Sequence, residues 1–359
     1  MHTCAHVPVR VKELKMPVTI KDIAKQANVS HSTVSRALRG SPLIPKSTAE
    51  RIRETAAGLG YLPSAAARSL KTNHTATIGL ILSEIETPLF LQATNFIEPI
   101  ARIAGYSILF GNARSTEDEQ HVVHLLLEKQ VDGIIFLSIS TYLDDDFLGG
   151  LPASTPPIVL VNRTTQFNRF DQIHWDNASG IVQAVDYLVQ LGHRRIAHLK
   201  GPPNRRSTDE RLQGYRLGLG QNGLAYDEAY VRSGDFTASP ESWYQSTLEL
   251  LNLPTPPTAI IAADDIVAAT VIRTVQRAGL RVPEDISVMG IDDQPYFCKY
   301  LNPALTTVQL PIVEASKLAI QMLLDHMTGQ RKKVKRVVLP CPLVLRESCS
   351  PNLKALRHG

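Results

Sequence analysis

The chain has 359 residues, of which 43% are hydrophobic, 20% are charged and four are cysteines. This composition is close to the globular average, which argues against a fibrous or wholly disordered chain, and the length suggests two or three folded units. No apolar stretch approaches the ~18–20 residues that span a bilayer, and the cysteines include no CxxC pair. A membrane protein, a disulfide scaffold and a zinc module are therefore all disfavoured.

The net charge of +4 is unevenly divided along the chain. Residues 1–75 hold 12 Lys and Arg against 4 Asp and Glu, a net of +8, and residues 76–359 hold the remaining 26 and 30, a net of −4. A small basic segment joined to a mildly acidic body is typical of a polyanion-binding module attached to another domain. Charge alone also permits a basic surface that has no partner.

Residues 1–16 show no helical period and lack the apolar run and cleavage site of a signal peptide. We expect a disordered tail here and a cytoplasmic protein. Met16 directly precedes a strongly patterned segment, so the sequence leaves open whether Met1 or Met16 is the start.

Three short helices are predicted next. The spacing of apolar residues places them over Ile20–Ala27, His31–Leu38 and Ser47–Gly58. A short helix, a tight turn and a second helix opening with Ser-His-Ser-Thr form the arrangement of a helix-turn-helix, whose second helix enters the DNA major groove. We therefore predict a DNA-binding domain over residues 17–62, with a plain three-helix bundle as the alternative.

The predicted DNA contacts come from the second helix and from two predicted N-caps. Thr19 is expected to cap the first helix and Ser30 the second. Arg36 can donate a bidentate pair to guanine, worth about 1–3 kcal/mol of base discrimination. Hydroxyl groups and helix-terminal amides suit phosphate oxygens. The predicted DNA-contacting residues of this domain are Thr19, Ile20, Ser30, His31, Ser32, Thr33, Ser35 and Arg36.

An alanine-rich segment, Ala65–Leu70, follows a Pro63-Ser64 break. Its helix propensity is high, but it is too short to hold a helix alone. Residues 63–75 are predicted to form a hinge and linker, and a plain linker is the alternative.

The body, residues 76–350, alternates apolar runs with amphipathic stretches, which predicts a doubly wound parallel α/β fold. The predicted strands are Ile78–Leu82, Tyr106–Phe110, Gly133–Leu137, Ile158–Val161, Ile196–Leu199, Ala259–Ala262 and Ser287–Ile291. The predicted helices are Leu89–Ala104, Thr116–Gln130, Ala178–Leu191, Arg211–Gln221, Ile266–Ala278 and Val313–Met327.

About 275 residues exceed what one such sheet needs, so two similar lobes are expected with a ligand in the cleft between them. The predicted lobe one covers residues 76–176 and 307–328, and the predicted lobe two covers residues 177–306 and 329–350. Residues 351–359 are expected to be a second tail.

Three other motifs carry no predicted chemistry. Residues 218–223 spell GxGxxG but close a predicted helix instead of following a strand, which argues against a dinucleotide site. His121 and His124 lack the neighbouring ligands of a metal site. The basic run Arg331–Arg336 is predicted to be a solvated turn. We expect neither a cofactor nor a metal.

The segments TIKDIAKQANVSHSTVSRAL and LGYLPSAAARSLKTNHTATIGLIL resemble the lactose-repressor (LacI/GalR) family of bacterial transcription regulators. The likeness runs from about Pro17 to Ser348, and Ala66–Gly79 is most similar to the purine-repressor branch. The resemblance implies a helix-turn-helix head, a two-lobed body like the type I periplasmic binding proteins, and no enzymatic activity.

The resemblance also implies a role for the hinge. Ser64–Leu70 would form a helix only on specific DNA, paired with its dimer mate. Leu70 would wedge into a base step from the minor groove, and Ala67 and Lys71 would make neighbouring contacts.

An effector site is implied by the same residue-by-residue match. Its predicted residues are Phe90, Arg211, Phe236, Asp264 and Asp292, with Asp176 and Arg205 as weaker candidates. Three of them have plainer alternatives, because Phe90 and Phe236 can be core residues and Arg211 can pair with Asp209 or Glu210 on a surface helix. Carboxylates, an arginine and aromatic walls suit a sugar or sugar phosphate. Leu89 stands where purine-binding relatives stack an aromatic, which disfavours a purine.

The sequence thus predicts a homodimeric, ligand-responsive repressor of a palindromic operator in double-stranded DNA, located in the cytoplasm and on the nucleoid when DNA-bound. The alternatives are a purine-type repressor that needs a corepressor and, in another class, a soluble sugar-binding protein. An α/β enzyme would need a nucleophile, a metal or a phosphate-cradling loop, and the sequence shows none of these. The sign of the effector response stays open. No heptad run follows Ser350, which disfavours a coiled-coil tetramer.

Overall fold

A computed structural model describes residues 18–61, 74–82, 88–137, 145–163, 165–203, 205–234, 240–331 and 333–352. The chain divides into two compact units, Met1–Asn73 and His74–Gly359. Within the described part of the chain, no helix combines the length and hydrophobicity needed to cross a bilayer.

In its described residues, 18–61, the N-terminal unit contains three helices, α1 (Ile20–Gln26), α2 (His31–Leu38) and α3 (Lys46–Gly58). These bounds agree with the predicted helices to within one residue. Asn28 adopts a left-handed φ of 49° in the turn between α1 and α2, a conformation that asparagine tolerates well. The small core holds many alanines, which let short helices approach closely; its buried residues are Ile23, Ala24, Ala27, Val34, Ala37, Ala49, Ile52 and Ala56.

The second unit is built from two six-stranded sheets, which confirms the predicted doubly wound fold. Its strands are β1 (Thr77–Leu82), β2 (Ser107–Asn112), β3 (Gly133–Leu137), β4 (Ile158–Val161), β5 (Asp171–Trp175), β6 (Ile196–Lys200), β7 (Val231–Ser233), β8 (Ala259–Ile261), β9 (Ser287–Asp292), β10 (Thr306–Gln309), β11 (Arg336–Leu339) and β12 (Leu343–Val344). Its α-helices are α4 (Pro88–Ile103), α5 (Thr116–Glu128), α6 (Asp145–Gly150), α7 (Asn177–Gln190), α8 (Arg206–Gln221), α9 (Pro240–Leu251), α10 (Asp265–Arg277) and α11 (Ile312–Met327).

The strand order is β11-β5-β4-β3-β1-β2 in the first sheet and β12-β10-β9-β8-β6-β7 in the second. Among the described strand pairs, β10 and β12 run antiparallel and the others run parallel. The strands near the middle of each sheet are apolar because helices cover both faces. We call the first sheet with its helices lobe one and the second lobe two.

The predicted lobe boundaries are wrong at two strands. Residues 307–309 were predicted in lobe one, but they belong to β10, which pairs with β9 in lobe two. Arg336–Leu339 was predicted in lobe two, but it pairs with β5 in lobe one. The chain crosses from lobe two to lobe one after β10, and it crosses back after β11. Helix α11 therefore lies in lobe one, as predicted, and the strands before and after it lie in opposite sheets.

Helices α7 and α8 of lobe two pack closely because glycines line their contact. A Cβ at Gly214 would collide with the carbonyl oxygen of Ala178, and one at Gly218 would lie 2.8 Å from Cβ of Val185. Gly218 belongs to the GxGxxG string, so this string contributes to helix packing and does not follow a strand, as predicted.

The basic run near the end of the chain is only partly a solvated turn. Arg331 donates to both carboxylate oxygens of Asp171, at 2.8 and 2.5 Å, and Asp171 is 1% exposed. His326 also reaches Asp171, at 3.0 Å. The prediction is therefore wrong for Arg331, which neutralises a buried carboxylate that the sequence pattern did not reveal.

Candidate functional site

Helix α2 presents a polar face from the N-terminal unit. Val34 and Ala37 are buried in the core, and His31, Ser32 and Arg36 are exposed on the opposite side. An exposed arginine and short polar side chains on the second helix are the groups that read base edges in a helix-turn-helix.

The two cap positions are built as predicted. The carboxylate of Asp22 accepts hydrogen bonds from Thr19 N and Oγ1, at 2.8 and 2.7 Å, and these bonds lower the pKa of Asp22. Ser30 Oγ accepts from Thr33 N at 3.1 Å, which closes the first turn of α2. These caps hold both helix N-termini, with their positive dipole ends, in fixed positions.

The remaining predicted DNA contacts are partly engaged within the unit. Ser30 Oγ lies 2.8 Å from the hydroxyls of Ser32 and Thr33. Arg39 Nη2 donates to Ser35 Oγ at 2.5 Å. Ile20 is half-buried against the core. The predicted contacts Ala67, Leu70 and Lys71 and the predicted effector residue Phe236 lie outside the described residues.

In the second unit, Arg211 lies at the centre of the predicted effector site. It projects from α8 and is 8% exposed. Its Nη1 donates to the carbonyl oxygen of Ala263 at 2.8 Å, its Nε donates to Asn177 Oδ1 at 3.3 Å, and its Nη2 lies 3.9 Å from Asp292 Oδ1. The surface-pairing alternative for this residue is therefore wrong, because its guanidinium is buried at the carboxyl ends of the lobe-two strands.

Two aspartates, Asp264 and Asp292, lie beside this arginine, and Asp265 interacts electrostatically with both of them. Burial raises the pKa of Asp292 well above its usual value, the charge of Asp265 raises it further, and Arg211 opposes both effects. Burial likewise raises the pKa of Asp264, opposed by the hydrogen bond from Val267 and by the charge of Arg211, and raises the pKa of Asp265 to about 6. Two carboxyls beside one guanidinium make a site that favours hydrogen-bond donors.

A strained turn carries Asp292. Both Asp292 and Asp293 have positive φ, 119° and 56°, which costs free energy in a residue with a side chain. Asp265 holds the turn by accepting from Gln294 N at 2.9 Å. Asp293 accepts from Gln309 Nε2 at 2.7 Å and from Arg346 Nη2 at 2.5 Å. Strain maintained by this many bonds is typical of a functional site.

The other predicted effector residues have structural roles in the described chain. Phe90, 1% exposed, belongs to the main core of the body. Asp176 caps α7 by accepting from Ser179 N at 2.9 Å. Arg205 is half-buried at the N-cap position of α8, and Asp264 caps α10 by accepting from Val267 N at 2.7 Å. The structure thus groups Arg211, Asp264 and Asp292 directly.

Sequence reasoning missed Asn177, Asp265 and Glu210. Asn177 Nδ2 donates to Glu210 Oε2 at 2.8 Å, while its Oδ1 accepts from Arg211. Asp265 accepts from Thr307 Oγ1 at 2.6 Å in addition to Gln294. A signal for Asn177 was present, because it lies two residues after the end of β5, but the polar residues of β5 hid this strand from prediction.

A groove of about 740 Å³ opens beside the segments that connect the lobes. Its walls include Asp292, Asp293, Gln309 and Pro311, together with Lys317 of α11. This volume lies within the range of small-molecule sites, about 300–1,000 Å³.

A helix-turn-helix unit and a two-lobed parallel α/β body with buried charged residues at the ends of its strands together define a ligand-regulated transcription factor. Residues 19–64 match the family of bacterial regulatory proteins named for lacI, and residues 185–349 match a periplasmic binding protein-like domain. Curated relatives align along nearly the whole chain. The chain belongs to the LacI family, so it is a DNA-binding regulator and not an enzyme.

Three relatives illustrate the match. The HTH-type transcriptional repressor CytR of Escherichia coli (strain K12) is 34% identical, covering 94% of this chain and 98% of its own. Catabolite control protein A of Priestia megaterium is 32% identical, covering 93% and 99%. The HTH-type transcriptional repressor PurR of Erwinia tasmaniensis is 35% identical, covering 92% and 96%.

Solved structures of transcriptional regulators are also similar to this chain. The Lac repressor dimer bound to operator and the anti-inducer ONPF superposes with a TM-score of 0.82 at 30% identity, covering 93% of this chain and all of the other. A complex of the transcriptional regulator CelR with cellobiose superposes with a TM-score of 0.68 at 30% identity, covering 92% and 99%. These likenesses confirm the predicted family.

Proposed function

We propose that the protein is a repressor that binds a palindromic operator as a homodimer, and that a small effector in the interlobe cleft controls its operator affinity. The observation that carries this proposal is the pairing of an exposed reading face on α2 with the buried group of Arg211, Asp264 and Asp292. A dimer is supported by the Lac repressor dimer, because two-fold symmetry places two reading helices on two half-sites. The protein would act in the cytoplasm, on the nucleoid when bound to DNA.

The proposed effector is a sugar or sugar phosphate. Two carboxyls, Asp264 and Asp292, beside one arginine offer several acceptors and one fixed donor group, which suits the hydroxyls of a carbohydrate. A transcriptional regulator similar to this chain, CelR, is known in complex with cellobiose, a disaccharide. A purine is the competing proposal, supported by the resemblance of Ala66–Gly79 to the purine-repressor branch.

The first experiment tests DNA binding. The full chain would select duplexes from a random-sequence library, and the enriched sequences are expected to be palindromic. Titrating a selected duplex in fluorescence anisotropy gives the affinity, and a shuffled duplex is the control. Enrichment of no sequence, or of non-palindromic single sites bound by one chain, would contradict a dimeric repressor.

The second experiment identifies the effector class. Thermal unfolding of the full chain would be followed with D-glucose, D-galactose, D-ribose, cellobiose, glucose 6-phosphate, hypoxanthine and guanine in separate samples. A compound that binds the native state increases the free energy of unfolding by mass action, by about 2.7 kcal/mol at 100 times its Kd. The unfolding midpoint rises as a result. Each stabilising compound is then added to the operator titration. Stabilisation by hypoxanthine or guanine alone would refute the carbohydrate assignment.

A further inference from the structure

Three side chains join the two lobes where the chain first crosses between them. His174 lies on β5 of lobe one, and Arg206 and Glu210 lie on the first two turns of α8 in lobe two. Arg206 Nη2 is 2.8 Å from His174 Nε2, and Glu210 Oε1 is 3.4 Å from the same nitrogen. Arg206 Nε also donates to Glu210 Oε1 at 2.6 Å. A side chain of one lobe is therefore held between two oppositely charged side chains of the other.

The same cluster continues to the effector site. Asn177, the first residue of α7 after the crossing, donates to Glu210 Oε2 at 2.8 Å. Its other amide atom, Oδ1, accepts from Arg211 Nε at 3.3 Å. Glu210 thus bonds through Oε2 to Asn177, which orients Arg211, and through Oε1 to Arg206, which faces His174.

We propose that Glu210 is a positioning residue that sets the orientation of Arg211 through Asn177 and fixes the angle between the lobes through Arg206 and His174. The proposal rests on the proposed effector site, because Arg211 is the residue that Glu210 positions. A change at Arg211 and a change in lobe orientation then share one set of hydrogen bonds, which is the physical connection that effector control requires.

The energetics favour this role over a surface ion pair. The side chains of His174, Glu210 and Arg206 are 15%, 20% and 25% exposed, so solvent screens them less than it screens fully exposed charges. Burial raises the pKa of Glu210, but the hydrogen bond from Asn177 and the positive charge of Arg206 act against burial, and the pKa is lowered overall. The carboxylate is thus stabilised in its charged form at this position.

The test measures lobe orientation directly in the full chain. Spin labels would be attached at Glu128→Cys on α5 of lobe one and at Gln221→Cys on α8 of lobe two, both exposed. Cys4→Ser would be included, and Cys298, Cys341 and Cys349 are buried. Labelled chains are mixed with an excess of unlabelled chain, so that the distance distribution from double electron–electron resonance comes from one protomer.

We expect His174→Ala and Glu210→Ala each to broaden the distribution about twofold or to displace its mean, because the lobes lose a contact that fixes their angle. Glu210→Gln should restore most of the wild-type distribution, because its amide oxygen still accepts from Asn177 or Arg206. A purely structural loss of stability would not be rescued in this way. His174→Ala alters only the lobe-one end of the cluster, so it tests the proposal even where Glu210→Ala folds poorly.

The matched control is Glu249→Ala. Glu249 Oε2 accepts from Arg232 Nε at 2.7 Å, an ion pair with the same geometry that lies wholly within lobe two. This variant should leave the distribution unchanged. His174→Ala and Glu210→Ala distributions that superpose on the Glu249→Ala distribution would overturn the proposal. No DNA or effector is present in the experiment, so a negative result is distinguishable from failure of the proposed function.

Discussion

Arg211 shows how a residue of the proposed effector site can be held in a fixed orientation by protein contacts alone. A guanidinium stays charged at any physiological pH and donates in a rigid planar arrangement. Here two protein acceptors, Ala263 O and Asn177 Oδ1, hold its plane, and Asp292 lies at 3.9 Å without a close hydrogen bond. The weakest of the three contacts is the one that a ligand hydroxyl can replace or bridge.

We predict that Arg211→Ala lowers the affinity for the compound found by thermal shift at least about tenfold, or ~1.4 kcal/mol, since a buried donor to the ligand is lost. Operator affinity without the compound should stay near the wild-type value. Isothermal calorimetry and anisotropy measure the two quantities. Arg232→Ala, in the same lobe but away from the cleft, is the control, and an unchanged dissociation constant in Arg211→Ala would remove this residue from the site.

His198 is a second residue whose environment has a measurable consequence. Burial lowers its pKa to about 4, opposed by the bond to Ile261 O at 3.1 Å and assisted by the charges of Arg211 and Lys200. Among the described residues, no partner reaches its Nε2. The neutral ring is therefore the form that the native state holds.

We predict that His198→Leu reduces the loss of stability in acid. An unfolded histidine titrates near pH 6.5, so the unfolded chain binds more protons between pH 6.5 and about 4, and the stabilisation present above pH 6.5 is lost over this range. The full effect is about 3 kcal/mol. Asp265, whose pKa is raised, acts in the opposite direction in both proteins and cancels in the comparison. Urea unfolding at several pH values measures the difference, and the exposed His121→Gln should behave like wild type.

At the scale of elements, the two faces of α2 have different roles. One face stabilises the N-terminal unit and the other is expected to contact DNA. Its buried side, Val34 and Ala37, fixes the helix against α1 and α3, and its exposed side carries Arg36. Changes on the exposed side should therefore alter DNA binding without unfolding the unit.

We expect Arg36→Ala to weaken binding to the selected operator by about 1–3 kcal/mol and to reduce discrimination at one base pair, since a bidentate contact to a base edge is lost. Binding to shuffled DNA should change much less. Competition anisotropy with single-base operator variants measures both. Arg53→Ala, exposed on α3, is the comparison; equal losses on specific and shuffled DNA in Arg36→Ala would assign Arg36 to the phosphate backbone instead.

Ser30→Asp tests the cap of α2 separately from its DNA contact. Aspartate caps a helix as well as serine does, so the thermal midpoint of the N-terminal unit should change little. A negative charge at this end of the helix should nevertheless repel phosphates and lower operator affinity at least about tenfold. Ser30→Ala should do the reverse, destabilising by about 0.5–2 kcal/mol. Retained operator affinity in Ser30→Asp would show that this helix end is remote from the DNA backbone.

The extent to which sequence predicts this fold depends on the kind of element. Apolar strands such as Gly133–Leu137 and Ile158–Val161 were predicted with their observed bounds because helices cover both of their faces. The strand Asp171–Trp175 was missed because Gln172 and His174 interrupt its apolar pattern to bond neighbouring segments. Thr306–Gln309 and Arg336–Leu339 are only four residues long, the first of them is mostly polar, and distant pairing partners decide the place of both.

Only part of the proposed site could be predicted from the sequence. Family resemblance led to Arg211, Asp264 and Asp292, which the structure brings together. Three polar residues on helices hold them in place: Asn177, Asp265 and Glu210. In the sequence, their spacing looks like that of any solvent-exposed helix face. Their role depends on contacts across the lobes and across about 30 residues of chain, which no local pattern records.

At the scale of the whole molecule, the uneven charge predicts two kinds of salt dependence. The net +8 of residues 1–75 belongs to the part that would contact phosphates, and the −4 to the part that would hold the effector. Operator affinity should fall linearly on a log–log plot against salt, with a slope of about −0.9 for each phosphate neutralised. A neutral effector should bind with little dependence on salt. Anisotropy and calorimetry from low to moderate salt measure the two slopes, and equal slopes would mean that the basic segment does not contact the DNA backbone.

The pairing of β11 with β5 also bears on the order in which the protein folds as it is synthesised. Residues 336–339 complete a sheet that begins at residue 77, so lobe one lacks an edge strand until nearly the whole chain has left the ribosome. Until then β5 presents an open edge, which attracts wrong strand partners. The described part of the N-terminal unit, residues 18–61, consists of short helices with local contacts and can fold long before this point. A nascent chain would therefore carry a finished DNA-reading head before it can respond to an effector.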